Sequence, residues 1–411
     1  MLMTSYVTHL EAAIDGTTLP ADKLQTVHKD RPLWVRYDLD AVKERFHKSD
    51  LMNRPSGMWR YRELLPVGDS EVISLGEGQT PLLPCPKLGT KLGLSDLWIK
   101  DESQLPTGSF KSRGLVMAVN MAHRFGVTRL AIPTAGNAGG AMAAYAARAG
   151  MEAYVFMPED TPVINRYECA LYGAKTFLVN GLITDCGRIV REGKNVAGWF
   201  DFSTLKEPYR IEGKKTMGLE LAEQFNWQLP DVIIYPTGGG TGLIGMWKAF
   251  EELAYLGWLT SEKRPRMVSV QSDGCCPIAR AFDAGERFAT PFENAETIAS
   301  GIRVPAAVGD FMILDAVRAG NGKAVAVDET RIDEWMRLAN GSEGIAVCPE
   351  SAACVGAAQK LRDEGWIRED ERVVIFNTGA VQKYPEVMRS ELPRLDKANI
   401  DWSRVIGSDT D

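Results

Sequence analysis

Two short segments of this chain combine residue types in an order suited to holding and using a small reactive ligand. The first is Pro236-Thr237-Gly238-Gly239-Gly240-Thr241-Gly242, which follows the apolar run Asp231–Tyr235 and precedes a helical pattern at Leu243–Tyr255. Without β-carbons, the glycines let successive backbone N–H groups turn toward one anion, and the helix N-terminus adds partial positive charge. The Thr237 and Thr241 hydroxyls are further donors. A phosphate is the expected guest; the bland alternative is a tight turn that binds nothing. The stretch also fits G-x-G-x-x-G through Gly240, Gly242 and Gly245, with Asp273 past the next strand. A dinucleotide is therefore a competing guest, although the spacing to Asp273 exceeds the usual ~20 residues.

The second segment is Leu105-Pro-Thr-Gly-Ser-Phe-Lys-Ser-Arg113. A lysine is ordinarily a solvated surface charge. Lys111, however, follows Phe110 and a Thr-Gly-Ser turn at the start of a helical pattern. Near a helix N-terminus and partly desolvated by a ring, its pKa should fall and its amine should become a better nucleophile. An amine able to take an aldehyde, with a phosphate loop about 130 residues later, suits pyridoxal 5'-phosphate and decides against the dinucleotide. Asn137, at the apex of the TAGNAGG loop (134–140), could then donate to the ring's phenolic oxygen; an ordinary turn asparagine is the competing reading. Thr378, after RVVIFN, could meet the pyridine nitrogen.

The elements that must position these residues read as an α/β chain. Strands are expected at Leu97–Lys100, Arg129–Ile132, Glu152–Met157, Thr176–Val179, Asp231–Tyr235, Met267–Gln271 and Arg372–Phe376. Helical patterns lie between them, after Ser112, over Ala138–Ala149 and at Val163–Tyr172. Strand–helix–strand order implies open parallel sheets with helices on both faces, and ligands at the strands' carboxyl ends. Nearer the N-terminus, Leu10–Ala21 is expected to be a short helix, Leu33–Tyr37 a strand and Asp40–Lys48 a helix; NRPSG at 53–57 marks a boundary. The expected division is an N-terminal segment, 1–57; a large cofactor-phosphate-binding domain from 58–115 and 217–390; a small α/β domain, 116–216; and a C-terminal tail, 391–411. The cofactor would lie between two interleaved lobes.

The 411 residues, 45% hydrophobic and 25% charged, suffice for a buried core without staples. A net charge of −7 and the lack of a basic tract argue against nucleic acid. No run reaches the roughly 20 apolar residues of a membrane span. Seven cysteines without a C-x-x-C pair, and no signal-like N-terminus, suggest reduced thiols in a cytoplasm. Only four histidines occur, none in metal-ligand spacing with the cysteines, so no metal site is expected.

Several long motifs resemble the fold-type II pyridoxal-phosphate-dependent enzymes (tryptophan synthase beta-like), and among them the threonine synthase family. They are SLGEGQTPLLP (74–84), WIKDESQLPTGSFKSRG (98–114), the asparagine loop, PTGGGTG and PYRIEGKKT (208–216), and the similarity covers about residues 58–390. The resemblance implies that Lys111 carries the cofactor as a Schiff base and serves as the catalytic amine. Gly238, Gly239, Gly240, Thr241 and Gly242 would cradle the cofactor phosphate, with Phe110 on the ring, Asn137 at its phenolic oxygen and Thr378 at its nitrogen. Thr134, Ala135 and Gly136 would hold the substrate carboxylate, and Arg210 a substrate phosphate. The implied reaction is elimination of phosphate from O-phosphohomoserine with water addition to give L-threonine; the alternative is β-elimination or β-replacement on serine, threonine or O-phosphoserine. A homodimer is also implied. The chain departs from the family pattern at Ser112, at STLKEPYR (203–210) and at NTGAVQKYP (377–385). If the Glu207 carboxylate pointed inward, it would repel a phosphorylated substrate.

Overall fold

Val232–Pro236 and Arg372–Asn377 are almost wholly buried runs rich in Val and Ile, as strands covered on both faces must be. They lie side by side at the centre of the main sheet. The computed structural model describes residues 5–388 and 392–406, so residues 391 and 407–411 of the tail expected at 391–411 lie outside the described residues. In chain order the strands are β1 (Val7–Ala12), β2 (Thr18–Leu19), β3 (Leu33–Tyr37), β4 (Leu82–Pro84), β5 (Asp96–Asp101), β6 (Arg129–Pro133) and β7 (Glu152–Pro158). Then follow β8 (Lys175–Val179), β9 (Phe200–Asp201), β10 (Val232–Pro236), β11 (Arg266–Ser272), β12 (Lys323–Val327) and β13 (Arg372–Asn377).

The main sheet has the order β12-β11-β10-β13-β5-β4, parallel except for the antiparallel edge strand β4. A second, wholly parallel sheet runs β8-β7-β6-β9. Every strand expected after residue 97 is present within a residue or two at its ends, and the α/β class holds.

The expected helix over Leu10–Ala21 is not there. Those residues form β1, a turn and β2 in a small antiparallel sheet, β2-β1-β3. The governing pattern is a period of two: Leu10 and Ala12 are buried while His9 and Glu11 are less so, and Leu10 pairs with Val35. Gly16, at φ 75°, supplies the turn.

Register brings the functional loops together. Asn377 of β13 is level with Asp101 of β5, and Ile375 of β13 with Ile234 of β10. Three adjacent strands therefore end on one side, followed by the Lys111 segment, Thr378 and the glycine loop respectively. The Lys111–Arg124 helix is fixed by a fully buried charge network. Arg113 Nε meets Glu102 Oε2 at 2.7 Å, and Arg113 Nη1 meets Glu220 Oε2 at 3.0 Å. Glu220, on the Tyr209–Gln224 helix, is also paired with Lys100 of β5. Pairs so deeply buried add little net stability, yet losing one partner strands the other charge, which enforces a single arrangement.

Candidate active site

Lys111 is the first residue of its helix, directly after Phe110. Its Nζ stands 4.1 Å from the Phe110 ring centroid. Burial, aided by the Arg210 charge, lowers its pKa from 10.5 to about 7, against the opposing pull of Glu350 and Cys348. The amine is therefore close to half neutral at physiological pH. Phe110 N–H donates to the Thr378 carbonyl at 3.0 Å, which ties the lysine segment to the end of β13. Ser112, one of the departures, is buried and turns its hydroxyl back to the Pro106 carbonyl.

The glycine loop has the shape its sequence suggests. Gly240 lies at φ 74°, and a β-carbon there would run into the Ile313 side chain. A β-carbon on Gly239 would stand 2.8 Å from Thr204 Cγ2, and one on Gly242 would strike the Tyr235 hydroxyl. Thr241 opens the Thr241–Tyr255 helix, whose first N–H groups are available to an anion. Thr237 is less free than expected, because its hydroxyl donates to the Tyr235 carbonyl at 3.0 Å. The third glycine of the dinucleotide-like pattern, Gly245, lies inside the helix and packs against Lys214 and Ile211. Asp273 accepts the Glu329 N–H. Neither residue is placed for a ribose.

Asn137 begins the Asn137–Arg148 helix and is 8% exposed. Its Nδ2 donates to the Tyr384 hydroxyl at 3.0 Å, while its Oδ1 is buried without a partner. Thr134 accepts the Gly136 N–H at 3.2 Å and donates to the Gly136 carbonyl, closing a compact turn. Thr378 donates its N–H to Ser351, and its hydroxyl lies 3.9 Å from Cys348 Sγ.

Arg210 and Glu207 sit at the start of the Tyr209–Gln224 helix. Arg210 donates to the Phe202 carbonyl at 2.9 Å, and its Nε has no hydrogen-bond partner. The Glu207 carboxylate accepts the N–H groups of Tyr209 and Arg210 at 2.8 and 3.1 Å. It caps the helix and does not line the cavity. The inward carboxylate considered from the sequence is therefore not found.

These loops enclose a cavity of about 670 Å³. Phe110, Lys111, Thr134, Ala135, Gly136, Asn137, Arg210, Gly238 to Gly242 and Thr378 all line it, while Thr237 lies behind the loop with its hydroxyl on the Tyr235 carbonyl. Several neighbours were not selected. Arg188 and Arg191 on the Ile183–Ala197 helix, with Lys206 and Arg303, add positive charge to the wall. Glu350 and Tyr384 line it from the other side. Lys214 is fully buried behind Phe110, with its Nζ 3.9 Å from the ring and donating to the Phe110 carbonyl. The KK pair within PYRIEGKKT was its only sequence signal.

The residues present fit pyridoxal phosphate: a glycine cradle for its phosphate, a buried low-pKa amine for its aldehyde, and an unsatisfied buried amide facing the same space. The family model for pyridoxal-phosphate dependent enzymes matches residues 73–379. A threonine synthase of Methanocaldococcus jannaschii is 37% identical over 365 residues, 88% of this chain and 89% of that protein. One from Methanosarcina acetivorans is 36% identical over 401 residues, 96% and 98% respectively. The chain belongs to the pyridoxal-phosphate-dependent enzymes, in the threonine synthase family.

Solved structures extend the likeness of fold. Maize serine racemase superposes with a TM-score of 0.63 at 24% identity, covering 73% of this chain and 88% of that one. The diaminopropionate ammonia lyase of Escherichia coli superposes with a TM-score of 0.65 at 18% identity, covering 77% and 88%. The fold-type II architecture and the cofactor are thus those of the family, and the dinucleotide alternative falls. Among the described residues there is no cluster suited to a metal ion, and no helix is long and apolar enough to cross a membrane. All seven cysteines are buried and unpaired, including Cys275 and Cys276.

Proposed function

We propose that this enzyme converts O-phosphohomoserine to L-threonine, eliminating phosphate and adding water. Similarity to threonine synthases over nearly the whole chain carries the reading, and the charge of the cavity wall supports it. Arg188, Arg191, Lys206, Arg210 and Arg303 face the cavity, while among the described residues Glu350 and Asp185 are its wall carboxylates. Arg303 and Arg188 are engaged with Asp160 and Glu192, whereas Arg191 and Lys206 make no ion pair among the described residues. A doubly anionic substrate end suits that surplus.

When bound, pyridoxal phosphate supplies the electron sink for charge at the substrate's reacting carbons. Gly238 to Gly242 and the Thr241 helix N-terminus would hold its phosphate. Thr378, a neutral donor and acceptor on the cavity wall, would meet the ring nitrogen without imposing a charge. Lys111, held near neutrality, is the base for the substrate Cα proton and the acid that returns protons to neighbouring carbons. The Thr134–Gly136 turn, whose Thr134 and Gly136 N–H groups bond Phe156 and the Thr134 hydroxyl, would present the Ala135 N–H to the substrate carboxylate. Arg210 holds the departing phosphate, its guanidinium matching phosphate oxygens in pairs. The homodimer implied by the resemblance is part of this proposal, and sedimentation of the purified protein tests it.

The alternative of β-elimination or β-replacement on serine, threonine or O-phosphoserine drew its weight from the altered segment STLKEP (203–208), in which the Glu207 carboxylate turns to the backbone at the start of the next helix. A substrate panel on cofactor-loaded enzyme decides. Phosphate release matched by threonine formation supports the proposal; keto-acid from serine or threonine with no phosphate from O-phosphohomoserine would sink it.

A further inference from the structure

Lys111 follows a turn that has to be held in place. Thr107, a β-branched residue, lies in the left-handed region at φ 61°, and Gly108 follows it at φ 61°. That conformation persists at a threonine only where its surroundings enforce it. Three contacts do so. The Thr107 and Ser112 hydroxyls meet at 3.0 Å, and the Ala380 N–H donates to the Gly108 carbonyl at 2.8 Å. The third comes from Lys383, whose Nζ donates to the Thr107 carbonyl at 2.9 Å.

The same ammonium reaches across to the second sheet. Lys383 follows β13 of the main sheet, while Glu168 lies on the Val163–Leu171 helix between β7 and β8. Lys383 Nζ and Glu168 Oε2 stand 2.6 Å apart, with the two side chains 7% and 13% exposed. The Glu168 carboxylate also lies against Gly140 of the Asn137–Arg148 helix, where a β-carbon would collide with it. Tyr384, the residue after Lys383, accepts from Asn137 Nδ2 at the start of that helix, at 3.0 Å. Two consecutive side chains thus tie the turn before Lys111 to the helix that presents Asn137. Neither Lys383 nor Glu168 is among the cavity-lining residues, so any effect on the cofactor passes through the segments they join.

We propose that Lys383 is a positioning residue for the cofactor: through Thr107 and Glu168 it fixes the Lys111 amine relative to Asn137. The aldehyde and the phenolic oxygen are neighbouring groups on one pyridoxal ring, so the lysine and the asparagine must hold a set separation to engage both. The proposal rests on the family's cofactor, with Lys111 and Asn137 in the roles given above, and is independent of which amino acid is the substrate.

The test uses full-length Lys383→Met, Glu168→Met, Glu168→Gln and the Lys383→Met/Glu168→Met double variant, loaded with pyridoxal phosphate and free of substrate. Two readouts are followed: the visible ellipticity per bound cofactor and the cofactor's dissociation constant. Borohydride trapping on Lys111 checks the Schiff base separately, so a failure of Lys383 is not confused with a failure of Lys111. Lys383→Met should diminish the ellipticity and weaken retention about tenfold, the worth of one hydrogen bond to a charged group. Glu168→Met should act in the same direction, and Glu168→Gln, which keeps an acceptor oxygen, should retain most of the band. The double variant should be no worse than Lys383→Met, because both changes break one connection. A purely structural role would lower the melting temperature and leave the ellipticity per bound cofactor and the retention of Lys383→Met at wild-type values; that result, or additive losses in the double variant, would overturn the proposal. If Lys383→Met does not fold, Glu168→Met decides: unchanged ellipticity and retention there refute the proposal, and a diminished band that Glu168→Gln does not share supports it.

Discussion

Glu207 lies three residues before Arg210 and spends its carboxylate on that arginine's own backbone N–H, at 3.1 Å, with its second oxygen 3.9 Å from the guanidinium. Both side chains are 1% exposed, yet only the arginine reaches the cavity. One acidic residue thus starts the helix and sits beside the cation on the cavity wall. What looks in sequence like a charge opposing a phosphorylated ligand is a support for the arginine proposed to bind it.

Removing that support should cost stability. Glu207→Ala deletes a helix cap and leaves the buried Arg210 without its nearest carboxylate. A loss of about 3 kcal/mol in urea unfolding is expected, above the ~1 kcal/mol of a simple cap.

The same carboxylate gives stability a pH dependence. Burial, ahead of the opposing Arg210 charge, raises the Glu207 pKa from 4.5 to about 7. A group with a raised folded pKa binds its proton more tightly in the native state, so stability falls as pH climbs from 4.5 to about 7. Relative to Glu207→Gln, the wild type should lose stability across that window and change no further above it. Chemical denaturation of both proteins from pH 4.5 to 8.5 checks the sign; a difference that grows in the opposite direction would refute the assignment.

Arg210→Lys should lower kcat/KM for O-phosphohomoserine by about 10- to 100-fold, because an ammonium cannot reproduce a paired contact with phosphate. Lys206→Ala and Arg191→Ala, at the wall and without ion pairs of their own, should instead raise KM severalfold with kcat nearly unchanged, since their contact with the phosphate is the same before and during reaction. Steady-state kinetics on the three variants separates the roles.

Lys111 should capture aldehydes at a pH where ordinary lysines are inert. With a pKa of about 7, its neutral form dominates above that pH. The rate at which apo protein takes up pyridoxal phosphate should therefore rise through a midpoint near pH 7, and Lys111→Ala should abolish the borohydride-trapped adduct. A midpoint near 10 would show the amine to be unperturbed.

Gly240→Ala should release the cofactor. The new β-carbon needs a left-handed backbone and space held by Ile313, so the cradle must shift. Weakening by about 100-fold in dialysis against phosphate buffer is expected, as several backbone N–H contacts would be lost together.

The chemistry of the site was legible in local segments because its parts are local: a glycine run between a strand and a helix, and a lysine after a turn and an aromatic ring. Buried strands such as β10 and β13 were legible for the same reason, since a short apolar run burying both faces has few other uses. Where pattern was weak, the reading failed. Leu10–Ala21 carries an alternation of only a few residues, and its partner β3 starts more than ten residues further on.

The sequence by itself therefore determined the family, its cofactor and the α/β class, and singled out Lys111 and the glycine loop as the groups proposed to hold it. The tertiary structure decided which side chains join them. Tyr384 lies far from Asn137 in the chain and meets its side chain at 3.0 Å only because strand register and helix packing bring the two segments to one wall. The direction of the Glu207 carboxylate was likewise a tertiary outcome. A charge at the start of a helix can turn to the cavity or to the backbone N–H groups, and here burial beside Arg210 makes the hydrogen-bonded cap the better place for it.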